Sequence, residues 1–162
     1  MFREMRRNRQ MLTQEECIRI LETDSSGVLA VLGDEDYPYT VPLSYVYDSQ
    51  RLYFHCALSG HKLDAVQKHD KASFCVIHQD LIVPEEYTTH YQSVIAFGRV
   101  KILQDESEKW DAAVRLARRY APDDSDLNRE NVIKKSWNAL CMLEMTIEHL
   151  SGKRAKELAD SL

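Results

Sequence analysis

Three short runs rich in β-branched and aromatic residues follow one another early in the chain: Val28 to Leu32, Pro38 to Tyr47 and Arg51 to Ala57. Only turn material separates them, Gly33-Asp34-Glu35-Asp36 and then Asp48-Ser49-Gln50. Connections this short join antiparallel neighbours, because parallel strands need a crossover of about a dozen residues or more. The chain is thereby committed to an antiparallel meander. Pro42, inside the second run, cannot donate a ladder hydrogen bond, which predicts a bulge or a free sheet edge there.

Thr13-Gln14-Glu15-Glu16 is a capping-box pattern, and Cys17, Ile18, Ile20 and Leu21 continue it as a short amphipathic helix ending near Thr23. After the meander, Ser59-Gly60-His61-Lys62 opens a short helix over 63–68. A strand from Ala72 to His78 follows, then a loop from Asp80 to Thr89 and a long strand from Tyr91 to Leu103 with a bulge at Gly98. Asp105 to Tyr120 is the clearest helix, acidic at its start and carrying Arg115, Arg118 and Arg119 near its end, as the helix dipole favours. A weaker helix spans Ser125 to Lys135, a strand Ala139 to Glu148, and a polar helix Gly152 to Leu162. The expected fold is mainly β: a six-stranded antiparallel barrel, closed or split, with flanking helices, since closure removes exposed edges. It would be one domain over 1–162, with the helical segment of about 105–135 as an appendage.

The 162 residues suit a single domain, and 44% hydrophobic with 29% charged residues excludes a disordered chain. No apolar run reaches the roughly 18 residues of a membrane span, and the basic start leads into no apolar leader core. The net charge of −5 argues against a general nucleic-acid binder. Cys17, Cys56, Cys75 and Cys141 are spaced for neither a zinc knuckle nor a disulfide framework, which points to a reducing, cytoplasmic setting. The five glycines never fall in a GxG, so neither a dinucleotide fingerprint nor a P-loop is present.

The most informative stretch is Tyr53 to Leu63, where a strand turns into a helix that begins Ser59, Gly60, His61, Lys62. A helix start offers unpaired N–H groups and partial positive charge, and with a hydroxyl and an ammonium beside it the site suits a phosphate. The alternative is plain: Ser59 as a simple N-cap and Lys62 as a solvated surface charge. His55 lies mid-strand, either a hydrogen-bonded structural residue or a group facing a ligand. His55, His61, His69 and His78 lack a carboxylate at ligand spacing, so no metal site is expected. Cys56 and Cys75 read as core. His90 to Val94 opens the long strand with unusual polarity, which fits an edge, a ligand or a partner subunit.

Gly27-Val28-Leu29-Ala30, Pro38-Tyr39-Thr40-Val41-Pro42-Leu43, Tyr53-Phe54-His55-Cys56-Ala57 with Gly60-His61-Lys62, Tyr91-Gln92-Ser93-Val94 with Gly98-Arg99, and Ile147 to Lys153 come in an informative order. Together, from about Thr13 to Lys153, they resemble the FMN-binding split-barrel family related to pyridoxamine phosphate oxidase, in particular its nitroimidazole-resistance (Nim-type) branch. The resemblance implies a six-stranded split barrel and a homodimer with two flavin sites at its interface. It also implies roles for named residues. Thr40, Val41, Pro42 and Leu43 would lie along the flavin ring, with His55, Cys56 and Ala57 lining it from the next strand. Ser59, His61 and Lys62 would hold the phosphate, and Tyr91, Gln92 and Ser93 would approach from this chain or its partner. FMN is the implied cofactor, ahead of FAD, a deazaflavin or haem. The arginine-rich ending of true pyridoxamine phosphate oxidases is absent from Lys153 to Leu158, and Gly60-His61-Lys62 stands where those oxidases carry an Arg-Lys pair, so oxidation of the vitamin is not expected.

The function that follows is a flavin-dependent reductase of nitroaromatic, quinone or similar small molecules, with His55 as proton donor or substrate contact. The alternatives are a protein that binds or sequesters a flavin or haem without turnover, and a dimeric scaffold whose pocket is vestigial.

Overall fold

The computed structural model describes residues 1–159. Helix α1 (Gln14–Thr23) leads into strands β1 (Ser26–Leu32), β2 (Pro38–Ser44), β3 (Val46–Asp48) and β4 (Arg51–Cys56). Helix α2 (His61–Lys68) follows, then the long strands β5 (Lys71–Val83) and β6 (Thr88–Ile102), helices α3 (Glu106–Tyr120) and α4 (Asp126–Ser136), strand β7 (Cys141–Arg154) and the short α5 (Lys156–Ala159). All strand pairs are antiparallel, in the order β2-β1-β5-β6-β7-β4-β3.

The protein is mainly β, as expected, but the sheet has seven strands instead of six. The predicted strand Pro38 to Tyr47 breaks at Tyr45, whose fully buried ring packs against Phe74 at 5.0 Å between ring centres. That one residue carries the chain from β2, at one edge of the sheet, to β3, at the other. A sheet whose two edges are a single residue apart must curl until they meet, so the barrel is split along the β2/β3 seam. The free edge expected from Pro42 is the outer side of β2.

Two further expectations are corrected. Asp80 to Thr89 is no loop: β5 and β6 run on as a two-stranded arm closed by a 3-10 turn over Pro84–Glu86, with a bulge at His78. Polar composition hid it, because an arm paired on neither outer side has no buried face to impose alternation. At the other end, Gly152 to Arg154 continue β7 instead of beginning a helix; only Lys156–Ala159 are helical, and 160–162 lie outside the described residues. The bulge near Gly98 is present, with the extra residue, Glu148, on the facing strand β7.

The core fills the barrel with Leu29, Phe54, Phe74, Val76, Val94, Leu143 and Met145, closed by α1 through Cys17, Ile20 and Leu21 and by α2 through Leu63, Ala65 and Val66. Alternation puts the neighbouring residues outside. There α3 and α4 cover Tyr53 and Met142 through Ala112, Ala113, Leu116 and Ile133. The expected helical appendage is thus a cover over one outer face of the barrel.

Candidate functional site

Strand β4 ends at Cys56, and the chain crosses the surface through Ala57, Leu58 and Ser59 before α2 begins. Gly60 is the N-cap, with φ +135° and ψ 164°, a conformation open in practice to glycine alone. It lets the chain reverse into the helix while its own carbonyl accepts from the Leu63 and Asp64 N–H groups at 2.9 and 3.2 Å. No side chain caps this helix. The simple reading of Ser59 as N-cap is therefore corrected: the hydroxyl sits one residue too early, and the His61 and Lys62 N–H groups stay available to a ligand.

Lys62 is half-buried beside that helix start, close enough for its charge to favour the thiolate of Cys56. His61 lies on the Tyr39 ring with centres 4.1 Å apart, and its Nε2 accepts from the Asp34 N–H at 3.3 Å. The Asp34 carboxylate lies 3.6 Å from His61 and 3.2 Å from Lys68 Nζ. The β1–β2 hairpin is thus fastened to α2. Neither Asp34 nor Tyr39 was singled out from sequence, because what joins them to His61 is the packing of a hairpin against a helix.

Strand alternation divides the predicted residues. Thr40 and Pro42 face outward on β2, exposed, while Val41 and Leu43 pack against the core. On β4, His55 is exposed and Cys56 is buried in the core; Ala57 is exposed just beyond the strand. Val41, Leu43 and Cys56 therefore turn no side chain to the outer face and their backbone groups bond within the sheet, while on the free edge of β2 the unpaired groups belong to Thr40 and Pro42. β2 and β4 approach each other across the seam. One chain thus gathers the β2 edge, the end of β4 and the start of α2.

Tyr91, Gln92 and Ser93 are not part of that gathering. Strand β6 meets the α2 end of the barrel at Val100, whose N–H donates to Asp70 at 2.7 Å. Ser93 lies seven residues back, about 23 Å along the strand. There Ser93 pairs with Lys153 and Ile77, and Lys153 Nζ lies 5.4 Å from the centre of the Tyr91 ring. Among the described residues no cluster of three His, Cys, Asp or Glu is arranged to hold a metal ion, and no helix is long and apolar enough to cross a membrane.

A family model described as pyridoxamine 5′-phosphate oxidase matches residues 13–154. Among solved structures, the chain is similar to a candidate 5-nitroimidazole antibiotic resistance protein from Bacteroides thetaiotaomicron, at 19% identity and TM-score 0.75 over 89% of this chain and 86% of that one. It is similar to a conserved hypothetical protein from Mycobacterium tuberculosis, at 14% identity and TM-score 0.81 over 96% and 92%. An FAD-binding protein from Mesorhizobium loti matches at 22% identity and TM-score 0.64 over 91% and 98%. At these identities the likeness is one of fold. No curated protein matches the chain.

Proposed function

Because the chain belongs to the pyridoxamine 5′-phosphate oxidase family, we propose that it binds a flavin, FMN first, and reduces small nitroaromatic, quinone or similar substrates with it, as its likeness to a nitroimidazole-resistance protein invites. The observation that carries this reading is the uncapped start of α2, with Gly60 opening the backbone and Lys62 beside it. A phosphate dianion needs several donors and a positive field, and this corner supplies both. Ser59 adds a hydroxyl, and His61, held by Asp34 and Tyr39, walls the site.

Bound flavin supplies the two-electron chemistry. The unpaired backbone groups at Thr40 and Pro42, within the stretch to Leu43, would orient its ring, and His55, exposed on β4, would deliver a proton to a substrate. A homodimer belongs to the same reading. The outer face of β1, β5 and β6 carries Val28, Cys75 and Ile95 in one cross-strand row that continues to Pro42 on β2, and Ile77 stands exposed beside it. A second copy on that face buries the row and brings the partner's Tyr91, Gln92 and Ser93 toward the phosphate end.

Flavin fluorescence titration tests the site. Lys62→Ala loses a charged hydrogen bond worth about 1.5–3 kcal/mol, a roughly 10- to 100-fold weaker Kd; an unchanged Kd removes the assignment. Ile95→Asp is expected to sediment as a monomer and to release its flavin, whereas a wild-type monomer refutes the dimer. Extraction and mass analysis of the cofactor separate FMN from FAD or a deazaflavin, and a Soret band marks haem instead. Flavin-loaded protein that passes no electrons to any nitroaromatic or quinone from a reduced nicotinamide donor is a binder without turnover.

A further inference from the structure

We propose that Cys56 and Cys141 form a reversible disulfide between β4 and β7, with hydrogen peroxide as the oxidant that closes it. The two residues are direct partners at the end of the β4–β7 ladder. Just beyond the ladder's other end, the Ile147 N–H donates to the Gln50 carbonyl at 3.0 Å. Every second pair counted from there exchanges backbone hydrogen bonds, and Cys56/Cys141 is one of them. Such pairs hold their Cα atoms about 5.5 Å apart, inside the roughly 4.4–6.8 Å that a disulfide spans. Directly opposed residues share a face of the sheet. Both side chains belong to the barrel core, and Cys141 lies close enough to help push the Cys56 thiol up. The remaining cysteines have no such partner: Cys17 sits on α1 and Cys75 on the outer face of β5.

Cys141 also lines a cavity of about 220 Å³, together with Leu58, Leu63, Leu103, Gln104 and Lys109. A peroxide is small enough to enter it. The Cys141 sulfur attacks the peroxide; an S–O bond forms, the O–O bond breaks and one water leaves, giving a sulfenic acid. The Cys56 sulfur then displaces the hydroxyl group; the S–S bond forms, the S–O bond breaks and a second water leaves. Two thiols are oxidised by two electrons and one peroxide is reduced to two waters. Burial and the neighbouring Cys141 push the Cys56 thiol up, against the pull of Lys62, so closure quickens as pH rises.

The test uses the full-length wild-type protein. Peroxide is applied, remaining thiols are alkylated after unfolding, and tryptic fragments are mapped. The expected product joins fragments 52–62 and 136–153, is lighter by two hydrogens than the reduced pair, and separates again in dithiothreitol. Two of the four thiols stay open to alkylation. A Cys141→Ser variant that folds forms no such link. The proposal is overturned if all four thiols remain free, if oxygen adds to cysteine without joining those fragments, or if the link runs through Cys17 or Cys75. Because the fragments are mapped on wild type, the outcome does not depend on whether the variant folds.

Discussion

At Gly60 and Gly98 the backbone asks for glycine for different reasons. Nothing lies within 4 Å of a Cβ built on Gly60, so only its φ of +135° opposes a side chain. At Gly98 a Cβ would come 2.0 Å from the Thr146 carbonyl oxygen across the bulge, and no side-chain rotation relieves that clash. Gly98→Ala is therefore expected to lose about 2–3 kcal/mol of stability in urea unfolding, since overpacked strands must separate. Gly60→Ala is expected to lose about 1–3 kcal/mol from strain and to weaken flavin binding as well, because α2 can no longer start where it does. If Gly60→Ala binds flavin as tightly as wild type, the helix start is not the phosphate site. Gly98 was legible as a bulge in the sequence. The severity of its clash was not, because the oxygen concerned belongs to a strand some fifty residues later.

Helix α1 shows how far an element's own sequence carries. The capping box forms as its residues predict: Thr13 Oγ1 accepts from the Glu16 N–H at 3.2 Å and the Glu16 carboxylate accepts from the Thr13 N–H at 2.8 Å. What the element could not announce is that both Glu16 oxygens also accept from Arg154 at 2.6 Å, binding the start of α1 to the end of β7. The Thr13 N–H first, and Arg154 after it, hold the Glu16 carboxyl below the usual glutamate range. Stability from this contact is full above roughly pH 4.3, the ordinary glutamate value, and drains away as pH falls through the lower folded-state value. Arg154→Met is expected to cost about 3 kcal/mol at neutral pH by stranding a half-covered carboxylate, and to lose less further stability than wild type on acidification. Parallel pH-dependent curves for the two proteins would refute the link. The β5–β6 arm is the opposite case. Its strands take their form from each other alone, so a polar, proline-containing stretch that reads as loop is in fact a hairpin.

For the whole molecule the decisive place is the seam at Tyr45. The Tyr120 hydroxyl, at the end of α3, accepts from the Tyr45 N–H at 3.1 Å and donates to the Ser25 carbonyl, pinning the helical cover to the point where the sheet's edges meet. The Tyr45 hydroxyl, by contrast, is buried without a partner. Thermal unfolding should separate the two: Tyr120→Phe loses about 1–3 kcal/mol, while Tyr45→Phe is neutral or more stable, since it removes an unpaired buried hydroxyl. A destabilised Tyr45→Phe would show that its hydroxyl has a partner after all.

Legible in the residues alone are the two early hairpins, the α1 cap, the position of the bulge and the strand-to-helix corner at Ser59 to Lys62, because turns, caps and alternation are local and leave their marks within a few residues. The tertiary structure alone decided the seventh strand, the closing of the seam, the capless start of α2 and the meeting of Cys56 with Cys141. Each of these depends on which distant segment lies opposite, and that is set by burial across the barrel, which no short stretch of sequence records.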